Sequence, residues 1–410
     1  MSVIISLSPW SSFWTMGNGG GTPSELIAVE CLKEINPDVL HFVEDGHPCD
    51  EGNIAIPVHM QALNIWKNRF YSRLGKIGRN VLFIMKTRKW RLYNYEFFDQ
   101  VIAVLAQKKI DSVTLIYCNS SLLVECGRKL GETYNCPVVS HFYGTFLAPC
   151  IGKHILYKKY ATEYLGWMTP VDLRICNDDG TSGIEVARDL GLPLDKFLFQ
   201  PHGINTKELS IECKEDITGF MRKDIQYVMT SSRLDGWKRI DRIIHSIPKV
   251  VHSIGNVQFL IIGDGPERIK LENLAKETGV SNWVTFVGPV PRSIVFSFMR
   301  KCDVFVSTND VSNISRGLKE AMFLGMCIVT LDTGDTQQLI MNRISGMLLP
   351  PDDSLELSKS LIEVLSDKNL RISLGREAKS IIEKNEPTQE TIINERLIHL
   401  RSVIDRFKKK

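Results

Sequence analysis

The sequence predicts an α/β protein built from two doubly wound, Rossmann-like domains. At 410 residues, the chain is longer than a single hydrophobic core usually supports. Short continuous runs rich in Val, Ile, Leu and Phe alternate with helical stretches throughout, and such runs are typical of strands buried on both faces. Strand–helix alternation on this scale indicates parallel sheets covered by helices.

The elements are predicted from these runs and from helical periodicity. The strands predicted in the first half are Val3–Leu7, Val39–Val43, Val81–Met85, Val113–Tyr117, Val138–His141 and Leu173–Cys176. Those predicted in the second half are Tyr227–Met229, Val257–Ile262, Val304–Val306 and Cys327–Leu331. Apolar residues from Ile240 to Ile254 recur at helical spacing and predict an amphipathic helix. Past Pro350 the predicted helices are Ser354–Leu365, Leu370–Glu383 and Thr388–Phe407.

The alternation lapses between Asn205 and Lys223, where the chain is polar. We place a domain boundary there, so the predicted domains are residues 1–205 and 206–385, followed by a terminal helical segment, 386–410. The Glu386-Pro387 pair lets the chain change direction before its last helix.

A net charge of +3 favours no class of partner on its own. From Lys67 to Arg91, however, there are nine Lys or Arg residues and no acidic residue, interleaved with aromatic side chains. This stretch suits an anionic membrane surface or a phosphorylated acceptor. The alternative is a solvated helix face followed by the strand Val81–Met85. Nucleic acid is not expected as a partner, because no recognised binding motif accompanies the basic residues.

The composition predicts an intracellular protein, cytoplasmic or peripheral on the inner face of a membrane. The N-terminal apolar run is too short for a signal peptide, and no stretch approaches the length of a membrane-spanning helix. The ten cysteines are scattered, and several lie in strand-like runs, so reduced core thiols are expected.

Arg233 and Lys238 lie where the predicted strand at Tyr227 gives way to a helix. In an open α/β sheet, ligands bind at the carboxyl ends of strands. Two cations at such a place suit a diphosphate. The alternative interpretation is a solvated helix start, where Arg and Lys are common.

Glu320 lies in the first turns of a second helix, behind a loop that contains Ser312, Asn313 and Ser315. Free backbone N–H groups at a helix start favour a phosphate. The carboxylate of Glu320 suits the hydroxyls of a ribose or sugar, although a first-turn Glu can also simply complement the helix dipole. The small residues Gly317 and Gly325 indicate close packing or close approach of a ligand.

Two further loops of the second half are predicted at the same edge. Gly263–Pro266 is a tight turn after a strand, and Gly265 is placed to face a ligand or only to start a helix. The next loop, from Phe286 to Arg292, has prolines and a glycine that can hold its backbone against a nucleobase.

The first half contributes two candidate features. Gly17–Ser24 includes Gly20 and Gly21 and does not match GxGxxG, so no dinucleotide fingerprint is predicted. Successive glycines permit approach to an anion, and a flexible loop is the alternative. His141 ends a predicted strand at the ligand-binding edge, although a lone His is more often structural.

Taken together, these motifs resemble those of GT-B glycosyltransferases of the retaining family 4. The resemblance is good from Tyr227 to Lys379 and weaker but consistent before that. Its elements occur in family order: the Gly-rich loop, His141, Pro201–Asn205, Ser232–Lys238, Gly263–Pro266, Phe286–Gly288 and Glu320–Gly325.

The resemblance implies two Rossmann-like domains facing a central cleft, with the last helix crossing back to the first domain. The C-terminal domain of such enzymes holds a nucleotide diphosphate-sugar, the N-terminal domain holds the acceptor, and a metal or other cofactor is commonly not needed. Retaining transfer then proceeds on one face of the sugar, and the departing phosphate takes the acceptor proton.

The site residues implied by the resemblance follow position by position. Arg233 and Lys238 bind the diphosphate, Glu320 binds the ribose hydroxyls, and His141 approaches the transferred sugar, so His141 and Glu320 are the candidate catalytic residues. The remaining predicted donor-binding residues are Gly20, Gly21, Gly265, Arg292, Asn313 and Ser315, and no metal ligand is predicted.

Three positions depart from the family pattern. Ser312 stands where another Glu is usual, Gln338 where a Glu is common, and His202 where the hinge motif has Asn. The leading hypothesis is a retaining hexosyltransferase acting on a hydroxyl acceptor, such as a saccharide or a lipid-linked or cell-envelope glycan. The alternative is a catalytically silent nucleotide-binding or scaffold protein, which Ser312 favours. A dinucleotide-dependent dehydrogenase fails for want of GxGxxG.

Overall fold

We describe the protein from a computed structural model. The structure describes residues 2–9, 23–44, 53–56, 76–177, 180–211, 217–310, 315–351 and 354–409. Among these, the chain divides into two compact units. Unit 1 holds the described residues from 2 to 202 and from 389 to 409, and unit 2 holds those from 203 to 388.

Unit 1 contains a seven-stranded sheet in which every strand pair is parallel. Its strands are β1 Ser2–Ser8, β2 Val39–Glu44, β3 Asn53–Ile56, β4 Ser112–Cys118, β5 Val138–Phe142, β6 Leu173–Asn177 and β7 Phe197–Gln200. The spatial order is β3-β2-β1-β4-β5-β6-β7. The chain therefore reverses its direction of winding between β1 and β4, as in doubly wound folds.

The helices of unit 1 are α1 Pro23–Ile35, α2 Lys76–Gln107, α3 Val124–Tyr134, α4 Ala161–Met168, α5 Gly183–Asp189 and α13 Gln389–Lys408. The last of these comes from the C-terminal end of the chain and packs on α1. Leu397 and Leu400 of α13 share a buried cluster with Ile4 of β1 and Tyr117 of β4. The terminal helix is thus part of the core of unit 1.

Unit 2 contains a six-stranded parallel sheet with the order β10-β9-β8-β11-β12-β13. The strands are β8 Gln226–Ser231, β9 Val257–Ile262, β10 Val284–Gly288, β11 Val304–Ser307, β12 Cys327–Leu331 and β13 Met347–Leu349. The helices are α6 Thr206–Ser210, α7 Ile240–Ile254, α8 Arg268–Glu277, α9 Arg292–Lys301, α10 Arg316–Phe323, α11 Ser354–Ser366 and α12 Lys368–Asn385. Its switch point lies between β8 and β11.

The cores form for the reasons that the sequence indicates. Strand β12 is buried along its whole length, as a continuous apolar run requires in a covered parallel sheet. Helix α7 buries the predicted stripe, including Ile243, Ile244 and Ile247. Both predicted Rossmann-like domains are confirmed by these sheets.

Every predicted strand except one is present. The prediction of a buried strand at Val81–Met85 is wrong, because this run lies within helix α2 and exposes Val81, Ile84 and Met85. A short apolar run does not distinguish a strand from a helix by period alone. Strands β3, β7, β10 and β13 were not predicted, and the loop expected at Phe286 is partly the end of β10. Each of them has at most five residues.

Within the described ranges, no helix is long and apolar enough to cross a membrane. The cysteines that the structure describes are all free thiols, and every one except Cys302 is buried.

Candidate functional site

The switch point of unit 2 brings the two principal motifs together. Strands β8 and β11 are neighbours, so the loop after β8, residues 232–239, lies beside the segment after β11. The amide of Asp310 donates to the carbonyl of Trp237 at 2.9 Å. The Thr308 hydroxyl donates to the carbonyl of Arg239 at 2.9 Å. Ligands bind at such switch points in open α/β sheets, and this one carries Arg233 and Lys238.

The turn into α7 is held by ion pairs. Arg239 has a left-handed backbone, with φ of 51° and ψ of 43°, which is uncommon for a residue other than glycine. Its guanidinium pairs with Asp241 at 3.0 Å and with Asp310 at 3.1 Å. Arg242 adds a contact to Asp310 at 2.8 Å. These pairs fix the residue that follows Lys238 in a conformation that it would otherwise rarely adopt.

Arg233 lies on the surface of this loop. Its side chain is 75% exposed and forms a two-point ion pair with Asp235, with nitrogen–oxygen distances of 2.7 and 3.0 Å. The pKa of the guanidinium is raised, chiefly by that hydrogen bond. An exposed pair of this kind contributes only about 0–1 kcal/mol. A diphosphate can therefore replace Asp235 at little cost.

Lys238 is half-buried, and its ammonium lies 3.8 Å from the centre of the Trp237 ring. Burial lowers the pKa of Lys238 from its ordinary value to about 8; Asp235 opposes this shift and the Arg233 charge adds to it. A lysine in this state gains from an incoming anion, because the anion restores the favourable surroundings that burial removed.

Glu320 is buried in an ionic cluster of α9 and α10. Its Oε1 atom is 2.8 Å from Arg292 and 2.7 Å from Arg316, and Arg292 also contacts Glu208 at 3.1 Å. Burial lowers the pKa of Arg316 to about 10, while the Glu320 charge opposes that shift. Arg316 Nη1 is buried and has no hydrogen-bond partner among the described residues. Two predicted donor-binding residues, Arg292 and Glu320, are thus in direct contact.

The glycines at this edge are required by packing. A Cβ on Gly263 would lie 2.0 Å from the Ser232 carbonyl oxygen, and one on Gly265 would lie 2.7 Å from the backbone of Leu234. Both glycines therefore support the backbone around Arg233. A Cβ on Gly317 would be 3.3 Å from the Ser231 carbonyl oxygen. This tight approach seats the first turn of α10 beside the carboxyl end of β8.

Ser315 caps helix α10, since its hydroxyl accepts a hydrogen bond from the amide of Leu318 at 3.2 Å. Gly20, Gly21 and Asn313, also predicted for donor binding, lie outside the described residues, as does Ser312. Their roles stay predictions.

A groove of about 760 Å³ lies between α7 and α8, next to the same loop. Its charged lining comprises the carboxylates Asp235, Asp241, Glu267 and Glu277 and the cations Arg239 and Lys270, with His245 beside them. The excess of carboxylates repels a diphosphate, so size alone does not identify the anion site.

In unit 1, His141 ends strand β5 inside a buried polar network. Its Nε2 is 2.7 Å from Asn177 Oδ1 and its Nδ1 is 2.9 Å from the Tyr117 hydroxyl. Because the Asn177 amide group donates to the Gln200 carbonyl at 3.3 Å, Asn177 Oδ1 accepts from Nε2–H and Tyr117 donates to Nδ1. The ring is fully buried and neutral. The predicted approach of His141 to a sugar stays a prediction.

Arg396 of α13 connects this network to the terminal helix. It is fully buried, and its Nε donates to Gln200 Oε1 at 3.2 Å. Its Nη1 and Nη2 atoms have no hydrogen-bond partner among the described residues. Burial and then the Arg396 charge hold the pKa of His141 well below its ordinary value. The last helix thereby influences the protonation of a strand-end histidine.

Four residues of these clusters were not predicted from the sequence: Arg316, Glu208, Asn177 and Arg396. Arg316 had a detectable signal, because a charge four residues before Glu320 on a helix faces it. Glu208 is 84 residues from Arg292, and Arg396 is 196 residues from Gln200. No local pattern predicts contacts at such separations. Among the residues that the structure describes, no group of three or more His, Cys, Asp or Glu is arranged to hold a metal ion.

Comparison with known proteins places most of this edge in a recognised domain. Residues 218–381 match the family model described as glycosyl transferases group 1. An uncharacterized glycosyltransferase of Methanocaldococcus jannaschii is 25% identical over 298 residues, which cover 71% of this chain and 75% of that protein. A phosphatidylinositol N-acetylglucosaminyltransferase of Arabidopsis thaliana is 25% identical over 49% of this chain, and the match spans 44% of its length.

The fold is also shared with solved structures. One is that of Anabaena HepE in complex with UDP-glucose, with a TM-score of 0.68, 17% identity, and coverage of 98% of this chain and 100% of that chain. Together with the two doubly wound sheets, this likeness confirms the predicted GT-B fold.

Proposed function

We propose that this chain, which belongs to the group 1 glycosyltransferases, transfers a hexose from a nucleotide diphosphate-sugar to a hydroxyl acceptor with retention of anomeric configuration. The enzyme class follows from the family. The donor, the stereochemistry and the acceptor are inferences from the site.

The donor diphosphate is assigned to Arg233, Lys238 and the first turn of α10. The observation that carries this assignment is the convergence of these groups at the switch point of unit 2, where Gly317 and Ser231 are in close contact. Lys238 is partly desolvated and regains favourable surroundings beside an anion. Charge on the leaving diphosphate grows as the glycosidic bond breaks, so cations held there stabilise the transition state. We assign that charge to these side chains and to no metal or other cofactor.

The ribose hydroxyls are assigned to Glu320. Arg292 and Arg316 both contact Oε1, so they orient the carboxylate, and we assign Oε2 to the hydroxyls. A carboxylate held by two arginines remains ionised and accepts hydrogen bonds. Arg292 thus acts on the donor through Glu320.

Retention is proposed to need no protein nucleophile. The departing phosphate oxygen takes the proton of the acceptor hydroxyl on the same face of the sugar from which the diphosphate leaves. For His141 to contact the transferred sugar, its Nε2–H must exchange the hydrogen bond to Asn177 for one to the sugar. Such an exchange keeps the ring neutral.

The acceptor is proposed to be a hydroxyl of a saccharide or of a lipid-linked glycan. The name of the Arabidopsis relative, which includes phosphatidylinositol, supports a lipid-linked acceptor. A catalytically silent nucleotide-binding protein is the second candidate, because Ser312 stands where the family usually has a carboxylate.

The test is thermal stabilisation by UDP, GDP, ADP and their sugar conjugates, followed by turnover with hydroxyl acceptors. A ligand that binds the native state raises the unfolding temperature. We expect one base family to do so in the wild type and in Lys270→Met, an exposed control on α8, but not in Lys238→Met. Proton NMR of the product then reports its anomeric configuration.

The outcomes separate the candidates. Stabilisation with release of nucleoside diphosphate and a retained anomer supports the proposal. Stabilisation without turnover for any acceptor identifies the silent binding protein. No stabilisation by any nucleotide contradicts both.

A further inference from the structure

Helix α2 presents an apolar stripe on the outside of unit 1. The α2 outer face comprises Ile77, Val81, Ile84, Arg88, Leu92 and Tyr95, which are spaced three or four residues apart and therefore share one side of the helix. Ile77 is 81% exposed, Ile84 is 65% exposed and Leu92 is 50% exposed. Single exposed apolar residues are ordinary, but a stripe of about five helical turns is not.

The helix cannot rotate to bury this stripe. Its opposite side places Trp90, Tyr93 and Phe97 in the interior of unit 1. The amide group of Asn94 donates to the carbonyls of Trp90 and Leu122, each at 2.8 Å, and its Oδ1 accepts from the amide of Cys126 at 2.9 Å. These bonds fix the rotation of α2, so the outer face is a stable feature of the folded unit.

The charge on this part of α2 has one sign. Between Ile77 and Tyr95 there are five Lys or Arg residues and no Asp or Glu. Arg88 and Arg91 are on the same side as Ile84 and Leu92, and these side chains line a shallow groove of about 310 Å³. Lys129 of α3 adds a cation 3.2 Å from the centre of the Tyr95 ring.

We propose that the α2 outer face docks the protein on an anionic lipid bilayer. Apolar side chains of an interfacial helix enter the boundary between headgroups and acyl chains, while arginines at its edge reach the lipid phosphates. The stripe and the cations of α2 have this arrangement. The bilayer is favoured over a second copy of the chain, because a symmetric contact through this face would bring Arg88 and Arg91 against their own copies.

The α2 outer face is independent of the donor site, because all of its residues belong to unit 1. One expectation from the sequence is corrected here. The basic stretch was expected to combine a helix face with a buried strand, whereas its described part is a single helix that exposes the apolar residues assigned to that strand.

Co-sedimentation of the full chain with vesicles tests the proposal. The vesicles contain phosphatidylcholine alone or equal parts of phosphatidylcholine and phosphatidylglycerol. We expect binding to the anionic vesicles, weakened by about tenfold or more in the double variant Ile84→Ser, Leu92→Ser. Removing two cations with Arg88→Gln, Arg91→Gln is expected to weaken that binding by about thirtyfold, at the usual attraction per basic residue.

Matched controls use exposed residues of unit 2. Ile269 and Ile372 are 74% and 58% exposed, so Ile269→Ser, Ile372→Ser removes similar apolar surface, and Arg376→Gln removes an exposed cation. These controls should bind as the wild type does. Because the altered side chains lie at the surface, the unfolding temperature should stay unchanged in every variant.

Three results would overturn the proposal. One is no binding to anionic vesicles, and another is binding that the α2 variants leave intact. The third is a concentration-dependent dimer in light scattering without lipid that the double Ser variant abolishes, since that would assign the face to self-association.

Discussion

We expect nucleoside diphosphate binding to weaken as the pH rises past about 8, because Lys238 loses its charge there. Burial lowers the pKa of this lysine to about 8 in the free protein. The bound diphosphate favours the charged form and raises that pKa again. Affinity is therefore highest below the free-state pKa and falls as the pH rises through it.

The magnitude follows from the fraction of charged Lys238. That fraction is about 90% near pH 7 and about 10% near pH 9 for a group with this pKa, so the dissociation constant should rise about tenfold between the two conditions. Arg233 stays charged across this range, and the terminal phosphate of the nucleotide is fully ionised at both values. Lys238 thus accounts for the change.

Isothermal titration calorimetry with the best-binding nucleoside diphosphate measures this dependence. Lys238→Arg keeps its charge and should flatten the profile, while Lys238→Met should bind more weakly at both values and also show no tenfold change. An unchanged dissociation constant in the wild type between about pH 7 and about pH 9 would refute a role for Lys238 in anion binding.

Three further predictions concern the framework of the two units. Lys319→Ala should lower the free energy of unfolding by about 3–5 kcal/mol, because it leaves a buried carboxylate 2.5 Å from the lost ammonium without its cation. Gly263→Ala should lower it by about 2 kcal/mol or more, since φ is +122° and the new Cβ meets the Ser232 carbonyl. Arg396→Met should raise the pKa of His141, because it removes a nearby positive charge.

Each has a measurement and a contrasting result. Urea unfolding of Lys319→Ala is compared with the exposed change Lys359→Ala, and equal effects would contradict the buried ion pair. Gly219→Ala is the control for Gly263→Ala, because its Cβ meets nothing within 4 Å. NMR titration of the His141 ring protons tests the last prediction, and an unchanged or lowered pKa would contradict it.

Much of the fold was predictable because buried parallel strands leave a strong local signal. Strands β9 and β12 have the predicted bounds, and α7 buries the predicted stripe. The run Val81–Met85 was misassigned because a short apolar run fits either period. Its helical state is decided by the long polar and aromatic context of α2 and by Asn94 contacts across the unit.

The candidate site was predictable where its residues follow strands. Arg233 and Lys238 follow β8, and topology brings that loop beside the start of α10. The environment of Glu320 was not predictable, because Arg292 and Glu208 reach it only through the tertiary fold. The burial of His141 under Arg396 likewise depends on a helix from the far end of the chain.

The most direct test of the donor site is a crystal structure of the protein with the nucleoside diphosphate that binds best. We expect phosphate oxygens at about 3 Å from Lys238 Nζ and from the Arg233 guanidinium, with the ribose hydroxyls on Glu320 Oε2. A nucleotide bound elsewhere, for example in the groove between α7 and α8, with Lys238 and Glu320 untouched, would contradict the proposed donor site.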